Sequence, residues 1–313
     1  MPDERLSTIL TARLREPGAF VRAASNRKVP ASLFNAHGKL MIIAADHPAR
    51  GALRAGSRAL AMGDRLDLLD RLCVALARPG VNGVLGTPDI LEDLLLLGAL
   101  DGKVVFGSMN RGGLAGTVFE LDDRFTAYDA AAIAAMQFQG GKMLARIDAD
   151  DPATVATIAA CANAVNELAQ RRLIAMIEPF ISHRVDGRVV NELTADAMIR
   201  ASTVAAGLGS TSAYTWLKVP VVEDMERVMA ATTLPALILG GEAGDDVEAA
   251  YESWRRALRL PTVQGLVIGR RLLYPPNDDV AGAVDIAVSL LQNGERVWRF
   301  CDGPAVSTAG QAR

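Results

Sequence analysis

Residues 142–178 read KMLARIDADDPATVATIAACANAVNELAQRRLIAMIE. Two apolar runs typical of buried strands, Lys142–Ile147 and Leu173–Glu178, flank a helical pattern over Pro152–Ala169. Because parallel neighbours in a sheet need a crossover connection, usually a helix, this stretch predicts a strand–helix–strand unit with two parallel strands.

The same alternation extends over most of the chain. The other predicted strands are Leu40–Ala45, Gly83–Leu85, Val104–Gly107, Tyr214–Val219, Ala236–Leu239 and Gly265–Ile268. The other predicted helices are Arg65–Ala77, Ile90–Leu97, Ala127–Met136, Ala195–Ala206, Glu223–Ala231, Asp245–Ala257 and Val280–Leu291. Eight such units over roughly 250 residues predict a single α/β domain spanning 1–313, a TIM (β/α)8 barrel. The barrel proper covers about 40–292, after an extra N-terminal helical segment.

An open, doubly wound sheet is the alternative fold. That fold usually has a Gly-rich dinucleotide turn after its first strand. Here the first strand ends in Asp46-His47-Pro48 instead of G-x-G-x-x-G, which favours the barrel.

Composition narrows the classes of function. Half of the residues are hydrophobic, as is normal for a globular protein. The net charge is -3, so polyanions such as nucleic acid and anionic membranes are not attracted and are not expected as partners. Three histidines are too few for a His-rich metal centre, and no metal is expected. Cys73, Cys161 and Cys301 have no metal-type spacing and are expected to be buried, reduced thiols. Without a signal-peptide pattern or a membrane-length apolar run, a cytoplasmic protein is expected.

Ionisable residues occur on four of the predicted strands. Asp46 ends the first strand, Lys142 and Arg146 lie on one face of the fourth, Glu178 ends the fifth, and Lys218 lies in the sixth. The active sites of barrel enzymes lie at the carboxyl ends of the strands. Since burying an unpaired charge is costly, we expect these groups to meet in one pocket.

Each of these residues also has a structural interpretation. Asp46 can cap the following helix, and Lys142 can face outward if the strand register is misassigned. Arg146 is either a substrate ligand or an ion-pair partner of Asp148 or Glu178. Lys218, deep in an apolar strand, has the fewest structural reasons to be present.

A buried lysine suits imine chemistry. Burial and a second cation, such as Lys142, lower the pKa of a lysine, and the neutral amine attacks a ketone. The resulting protonated imine accepts electrons when the neighbouring carbon–carbon bond breaks. Glu178 and Asp46 are available as the base and the acid. These residues suffice for carbon–carbon lyase chemistry without a metal or cofactor.

The last two strands end in glycines. Gly240-Gly241 follows the seventh strand and Gly269-Arg270 the eighth, where barrels commonly bind phosphate. The pattern predicts a phosphorylated substrate. A Gly-rich loop at residues 110–116 is either a lid over the substrate or a flexible surface loop.

These elements resemble the class I aldolase superfamily of archaeal-type fructose-bisphosphate, tagatose-bisphosphate and deoxyribose-phosphate aldolases. The matching segments are Asp46-His47, Lys142 to Asp148, Glu178, Leu217-Lys218-Val219, Gly240-Gly241 and Gly269-Arg270. The resemblance implies a Schiff base on Lys218 and acid–base or orienting roles for Asp46, Lys142 and Glu178. It implies a phosphate site at the late glycines and Arg270, with His47 and Arg146 among the substrate-binding residues.

The segment KMLARIDADDP is more similar to the aldolase of myo-inositol breakdown. That resemblance implies cleavage of 5-dehydro-2-deoxygluconate 6-phosphate to glycerone phosphate and malonate semialdehyde. The sequence departs from its relatives at Pro48, where Asp-His-Gly is more usual, and it lacks the Lys-Thr-Ser-Thr string of deoxyribose-phosphate aldolase.

Four alternatives stay open. They are an aldolase for fructose, tagatose, sulfofructose or deoxyribose phosphate, a transaldolase-like enzyme, a barrel isomerase or lyase that uses Lys218 only as a base, and a non-catalytic sugar-phosphate-binding barrel. A homo-oligomer is expected.

Overall fold

The computed structural model describes residues 4–241 and 246–292. Its strands are β1 (Leu40–Ala44), β2 (Gly83–Gly86), β3 (Val104–Ser108), β4 (Gly140–Ile147), β5 (Ile174–Val185), β6 (Arg188–Asn191), β7 (Thr215–Val219), β8 (Ala236–Leu239) and β9 (Val263–Ile268). All except β6 pair in parallel, in the order β1-β2-β3-β4-β5-β7-β8-β9, and β9 pairs with β1 to close the ring. The ring confirms the predicted (β/α)8 barrel.

Helices connect the strands and surround the ring. They are α1 (Glu4–Arg15), α2 (Ala19–Asn26), α3 (Arg65–Ala77), α4 (Pro88–Leu96), α5 (Ala130–Ala135), α6 (Ala153–Gln170), α7 (Ala195–Ala206), α8 (Met225–Ala230), α9 (Val247–Ala257), α10 (Arg270–Leu273) and α11 (Val280–Gln292). The N-terminal helical segment, predicted from the sequence, is formed by α1 and α2. Asp245, the predicted start of the ninth helix, lies outside the described residues, as do residues 293–313.

Several helices begin at a side chain that accepts hydrogen bonds from the first turn. The Asp64 carboxylate accepts from the amides of Leu66 and Asp67 at the start of α3, and Asp129 and Thr194 do the same for α5 and α7. Such caps satisfy amides that have no partner within the helix. They fix where each helix begins after the strand that precedes it.

Successive side chains of a strand point alternately into the barrel and toward the helices, so the core has one part inside the barrel and one between strands and helices. On β7, Trp216 packs inside the barrel, whereas Leu217 and Val219 pack against the surrounding helices. Successive side chains of a strand point to opposite faces, so Lys218 shares the inward face with Trp216. Phe34 stacks on Trp216 with ring centroids 6.0 Å apart and covers the interior from below. The apolar floor leaves the opposite end, at the strand carboxyl ends, for polar groups.

The fifth strand is longer than its sequence pattern predicts. The prediction ended it at Glu178, but β5 continues to Val185 and turns back as the antiparallel strand β6. The turn uses Asp186 and Gly187, whose φ angles are 50° and 76°. Two consecutive left-handed residues are typical of a tight hairpin turn. The hairpin rises from the barrel mouth directly above Glu178.

Two further expectations concern the thiols and the membrane. Cys161 is buried as predicted, Cys73 is only half-buried, and Cys301 lies outside the described residues. Among the helices in the described ranges, none is both long and apolar enough to cross a bilayer.

Candidate active site

Four of the ionisable residues identified in the sequence meet at the mouth of the barrel. Asp46 follows β1, Lys142 lies on β4, Glu178 on β5 and Lys218 on β7. Each side chain is buried, with at most 9% of the residue exposed. Lys142, Glu178 and Lys218 lie on three adjacent strands, and closure of the barrel brings Asp46, after β1, to the same site.

The four residues form a chain of alternating charges. Lys218 Nζ lies 2.7 Å from Glu178 Oε1, and the other oxygen of Glu178 pairs closely with Lys142 Nζ. Lys142 Nζ in turn lies 3.2 Å from Asp46 Oδ2. Each lysine therefore has a carboxylate partner, which offsets part of the cost of burying its charge.

The carboxylates stay ionised despite burial. Burial alone raises the pKa of Glu178, but the charges of Lys142 and Lys218 outweigh it and hold the pKa well below its ordinary value. Asp46 behaves in the same way, with Lys142 and Arg111 as the dominant cations. Both groups are therefore ionised near neutral pH.

The pKa of Lys142 is displaced from its ordinary value. Burial lowers its pKa to about 8, the Arg111 charge acts in the same direction, and Asp46 and Glu178 oppose it. The second cation that the sequence predicted beside Lys218 is thus present. It is joined to Lys218 through Glu178.

Arg111, which the sequence analysis did not place in the site, extends the chain of charges. Its Nη1 lies 3.2 Å from Asp46 Oδ2, and Ser108 donates to the same oxygen over 3.1 Å. Both residues follow or end β3, so their position at a strand carboxyl end was available as a signal. Arg111 was overlooked because it lies within the Gly-rich loop.

His47 is next to Asp46 but makes only a loose contact with it. Its Nδ1 is 3.8 Å from Asp46 Oδ1 and, among the described residues, has no hydrogen-bond partner. Burial and the nearby charges of Arg270 and Lys218 lower the pKa of His47 to about 3. The imidazole is therefore neutral and available to a ligand.

The strand ends border a cavity of about 310 Å³. The hairpin contributes one wall with Phe180, Val189 and Asn191, and Ala115 of the Gly-rich loop lies at another. A larger cavity, about 480 Å³, opens outside the barrel between α9 and residues 271–278. The ion-pair chain lines the smaller one, whose size is within the usual range for small-ligand pockets.

The predicted phosphate-binding residues line the same cavity. Gly240 and Gly241 follow β8, and Gly269 and Arg270 follow β9. A Cβ atom on Gly240 would lie 2.8 Å from Ile268, and one on Gly269 would collide with the Ala44 carbonyl. Larger residues are thus excluded by packing. Within the described ranges, Nε of Arg270 is buried without an acceptor, which leaves a donor for a ligand.

Arg146 has different partners from those proposed from the sequence. Its Nε and Nη2 donate to the Asp123 carboxylate over 2.9 and 2.7 Å, and it also contacts Glu120. Asp148 and Glu178 were therefore the wrong partners. Asp123 and Glu120 belong to the long β3–α5 connection, which folds back over the mouth. Arg146 lines the cavity but holds this connection in place.

The Gly-rich loop, residues 110–116, is also attached to the barrel. Arg50 Nε donates to the Gly113 carbonyl over 2.8 Å, and the Ala115 amide donates to the Arg50 carbonyl over 2.9 Å. The loop thus covers part of the cavity in this state of the protein.

The chain is similar to solved barrel proteins. The crystal structure of Cgl0159 from Corynebacterium glutamicum (Brevibacterium flavum) shares 50% identity, covers 93% of this chain and 98% of its own, and has a TM-score of 0.90. An archaeal fructose 1,6-bisphosphate aldolase shares 17% identity. The match covers 88% of this chain and 100% of the aldolase, with a TM-score of 0.62. A fructose-bisphosphate aldolase from Slackia heliotrinireducens shares 17% identity. The match covers 88% of this chain and 97% of the aldolase, with a TM-score of 0.57. The aldolases share the fold of this chain.

The family comparison covers most of the sequence. No curated protein matches the chain. The family model described as Cgl0159-like matches residues 38–288, which include all eight strands of the barrel and every residue of the ion-pair chain. The chain therefore belongs to the Cgl0159-like family.

Proposed function

We propose that the protein is a class I aldolase, a carbon–carbon lyase that cleaves a ketose phosphate through a Schiff base on Lys218. The observation that carries this proposal is the position of Lys218, which faces the barrel mouth and is paired with a carboxylate that can take its proton. The shared barrel supports it. One archaeal fructose-1,6-bisphosphate aldolase of this fold has its catalytic Lys covalently bound to the carbinolamine intermediate of the substrate.

The first steps load the substrate onto the lysine. Glu178, 2.7 Å away, accepts a proton from Lys218, and the free amine attacks the ketone carbon. The carbinolamine then loses its hydroxyl as water and becomes a protonated imine. Glu178 returns the proton that the departing hydroxyl needs.

Cleavage follows from the electron demand of the imine. A carboxylate removes the proton from the hydroxyl on the carbon β to the imine, the adjacent carbon–carbon bond breaks, and its electron pair forms an enamine. The aldehyde leaves, the enamine carbon is protonated, and water hydrolyses the new imine. Asp46 and Glu178 supply the two carboxylates for these transfers.

Lys142 has an electrostatic role in this scheme. It lies between Glu178 and Asp46 and contacts both. As an ammonium it keeps both carboxylates ionised, and it can donate a hydrogen bond to the substrate hydroxyl. At the other side of the cavity, Gly240, Gly269 and Arg270 would hold the substrate phosphate.

The leading substrate candidate is 5-dehydro-2-deoxygluconate 6-phosphate, which the resemblance to the aldolase of myo-inositol breakdown implies. Fructose, tagatose, sulfofructose and deoxyribose phosphates are the rivals. Assaying the ketose phosphates for release of glycerone phosphate, and deoxyribose phosphate for release of acetaldehyde, ranks the candidates directly.

Reductive trapping tests the Schiff base. Borohydride is added to the protein with glycerone phosphate, and the modified peptide is mapped by mass spectrometry. Mapping is simple because the chain has five lysines: Lys28, Lys39, Lys103, Lys142 and Lys218. We expect an adduct on Lys218 alone, its loss with cleavage activity in Lys218→Met, and normal trapping in the control Lys28→Met, which changes an exposed residue.

An adduct on Lys142 instead of Lys218 would show that Lys142 is the nucleophile and that the assignment of Lys218 is wrong. A wild-type protein that forms no adduct would favour an isomerase or a sugar-phosphate-binding protein, since neither needs an imine.

A further inference from the structure

The hairpin at the barrel mouth has an unpaired strand edge. β6 is the last strand of the sheet and, among the described residues, pairs only with β5. The Glu192 amide donates to the Ile181 carbonyl over 2.9 Å. Because hydrogen-bonding direction alternates along a strand, Val189 and Asn191 point their amides and carbonyls away from β5. No hydrogen bond to these backbone groups is found in the described part of the chain, and such an edge can pair with another strand.

The two faces of β6 differ in their surroundings. Val189 and Asn191 line the substrate cavity. Since side chains alternate along a strand, Arg188 and Val190 lie on the outer face, where Val190 is 41% exposed. Val185 pairs with Arg188 across the hairpin and is 46% exposed. The outer face therefore presents two valines to solvent beside the unpaired edge.

The sequence of this edge is complementary to itself in the antiparallel direction. It reads RVVNE from Arg188 to Glu192. With Val190 opposite Val190 of a second copy, Val189 lies opposite Asn191 of the partner subunit, so all the free backbone groups of the edge are paired. The two valines then occupy a non-hydrogen-bonded position, where facing side chains are closest. Arg188 lies opposite Glu192 of the partner subunit, and a two-fold axis through the valine pair repeats this contact.

Both charged side chains of the edge are available for this contact. Arg188 is exposed, and within the described residues neither Arg188 nor Glu192 has an ion-pair partner. The Thr194 hydroxyl donates to Oε1 of Glu192 over 3.0 Å, which leaves Oε2 for a cation. Opposite charges directly across two strands stabilise their pairing, and like charges destabilise it. The order of the charges thus favours a second copy of this chain over an unrelated strand.

We propose that two copies of the chain associate through β6 and form one antiparallel sheet, β5–β6–β6–β5, across a two-fold axis. This association goes beyond the proposed reaction and does not depend on it. The inner face of the hairpin lines the substrate cavity, so association would also fix one wall of that cavity. An edge as short as residues 188–192 buries less area than the roughly 1,200–2,000 Å² of stable complexes, so the dimer should dissociate on dilution.

Sedimentation velocity of the full chain at about 1–200 µM tests whether association occurs, because weak interfaces dissociate in this range. We expect a monomer–dimer equilibrium that shifts toward monomer at the lower concentrations and at high salt, which screens the exposed ion pairs. A protein that is monomeric at every concentration would overturn the proposal.

Charge reversal tests the surface and the register. Arg188→Glu and Glu192→Arg each place like charges opposite one another at both symmetric contacts, so Kd should rise about 10- to 30-fold. The double variant Arg188→Glu/Glu192→Arg exchanges the two charges and should return Kd to within about threefold of wild type. The control Arg259→Glu makes the same charge change at an exposed residue before β9, at the opposite end of the barrel, and should leave Kd unchanged.

The single and double variants together identify the interface. A dimer that withstands both single substitutions uses another surface, and the proposal is then wrong. Dissociation of both single variants without recovery in the double variant would reject this pairing of β6 with itself. Recovery cannot result from misfolding, because the double variant carries both substitutions, and far-UV circular dichroism checks that each single variant is folded.

Discussion

Replacing Arg146 with Met tests whether this buried arginine holds the β3–α5 connection or binds substrate. Asp123, its main partner, is fully buried and accepts two hydrogen bonds from the guanidinium. Removing one member of a buried ion pair costs about 3–5 kcal/mol, because the other charge is left without compensation. Arg146→Met should therefore lose about that much free energy of unfolding.

The expected change in melting temperature follows from the size of the chain. An unfolding entropy of about 2.1 cal/mol/K per residue, over 313 residues, gives about 0.7 kcal/mol per kelvin. The apparent Tm should fall by about 5–8 °C, as measured by thermal circular dichroism. The double variant Arg146→Met/Asp123→Asn should recover at least half of the loss, because it removes the uncompensated charge. A Tm within about 1 °C of wild type, together with a higher KM, would show that Arg146 binds substrate and would refute the anchoring role.

Three further outcomes are expected. Turnover should fall about tenfold per pH unit above the Lys142 pKa of about 8, because deprotonation removes the cation shared by two carboxylates. The variant Lys142→Met should be slower at all pH values and should lack this alkaline decrease in rate. Glu178→Gln should slow trapping at neutral pH, measured as the rate of adduct formation, since it removes the carboxylate that takes the Lys218 proton and returns it to the departing hydroxyl. Gly269→Ala should lower the apparent Tm through its collision with the Ala44 carbonyl, whereas Gly207→Ala, which has ordinary contacts, should not. The first expectation would be contradicted by a pH–rate profile without an alkaline decrease, and the second by trapping at the wild-type rate in Glu178→Gln. Equal Tm values for Gly269→Ala and Gly207→Ala would contradict the third.

The barrel was predictable because strands buried on both faces have apolar sequences. Seven of the predicted strands match the observed ones to within two residues at each end. The fifth did not, because Glu178 and Pro179 interrupt its apolar run, whereas β5 continues to Val185. The Asp186-Gly187 pair was a usable hairpin signal, since both residues readily adopt the left-handed conformation.

The four charged residues of the candidate site were predictable because they interrupt or end apolar strands. Lys142, Glu178 and Lys218 stand out because a charge in an apolar strand is costly unless it is paired. Arg111 lies in a polar loop, where an arginine is unremarkable, so only its position after β3 pointed to the site. The partners of Arg146 come from a connection without periodic pattern, and no local rule joins residues 123 and 146.

The alternating series Glu178–Lys142–Asp46 has a consequence for any titration of this protein. A proton can pass from one member to the next while the total charge stays the same, so several microscopic states share one macroscopic state. Ionisation constants obtained from kinetics, NMR or chemical labelling therefore belong to the whole series. Substituting Lys142 should displace the apparent constants of Glu178 and Asp46, because it contacts both carboxylates.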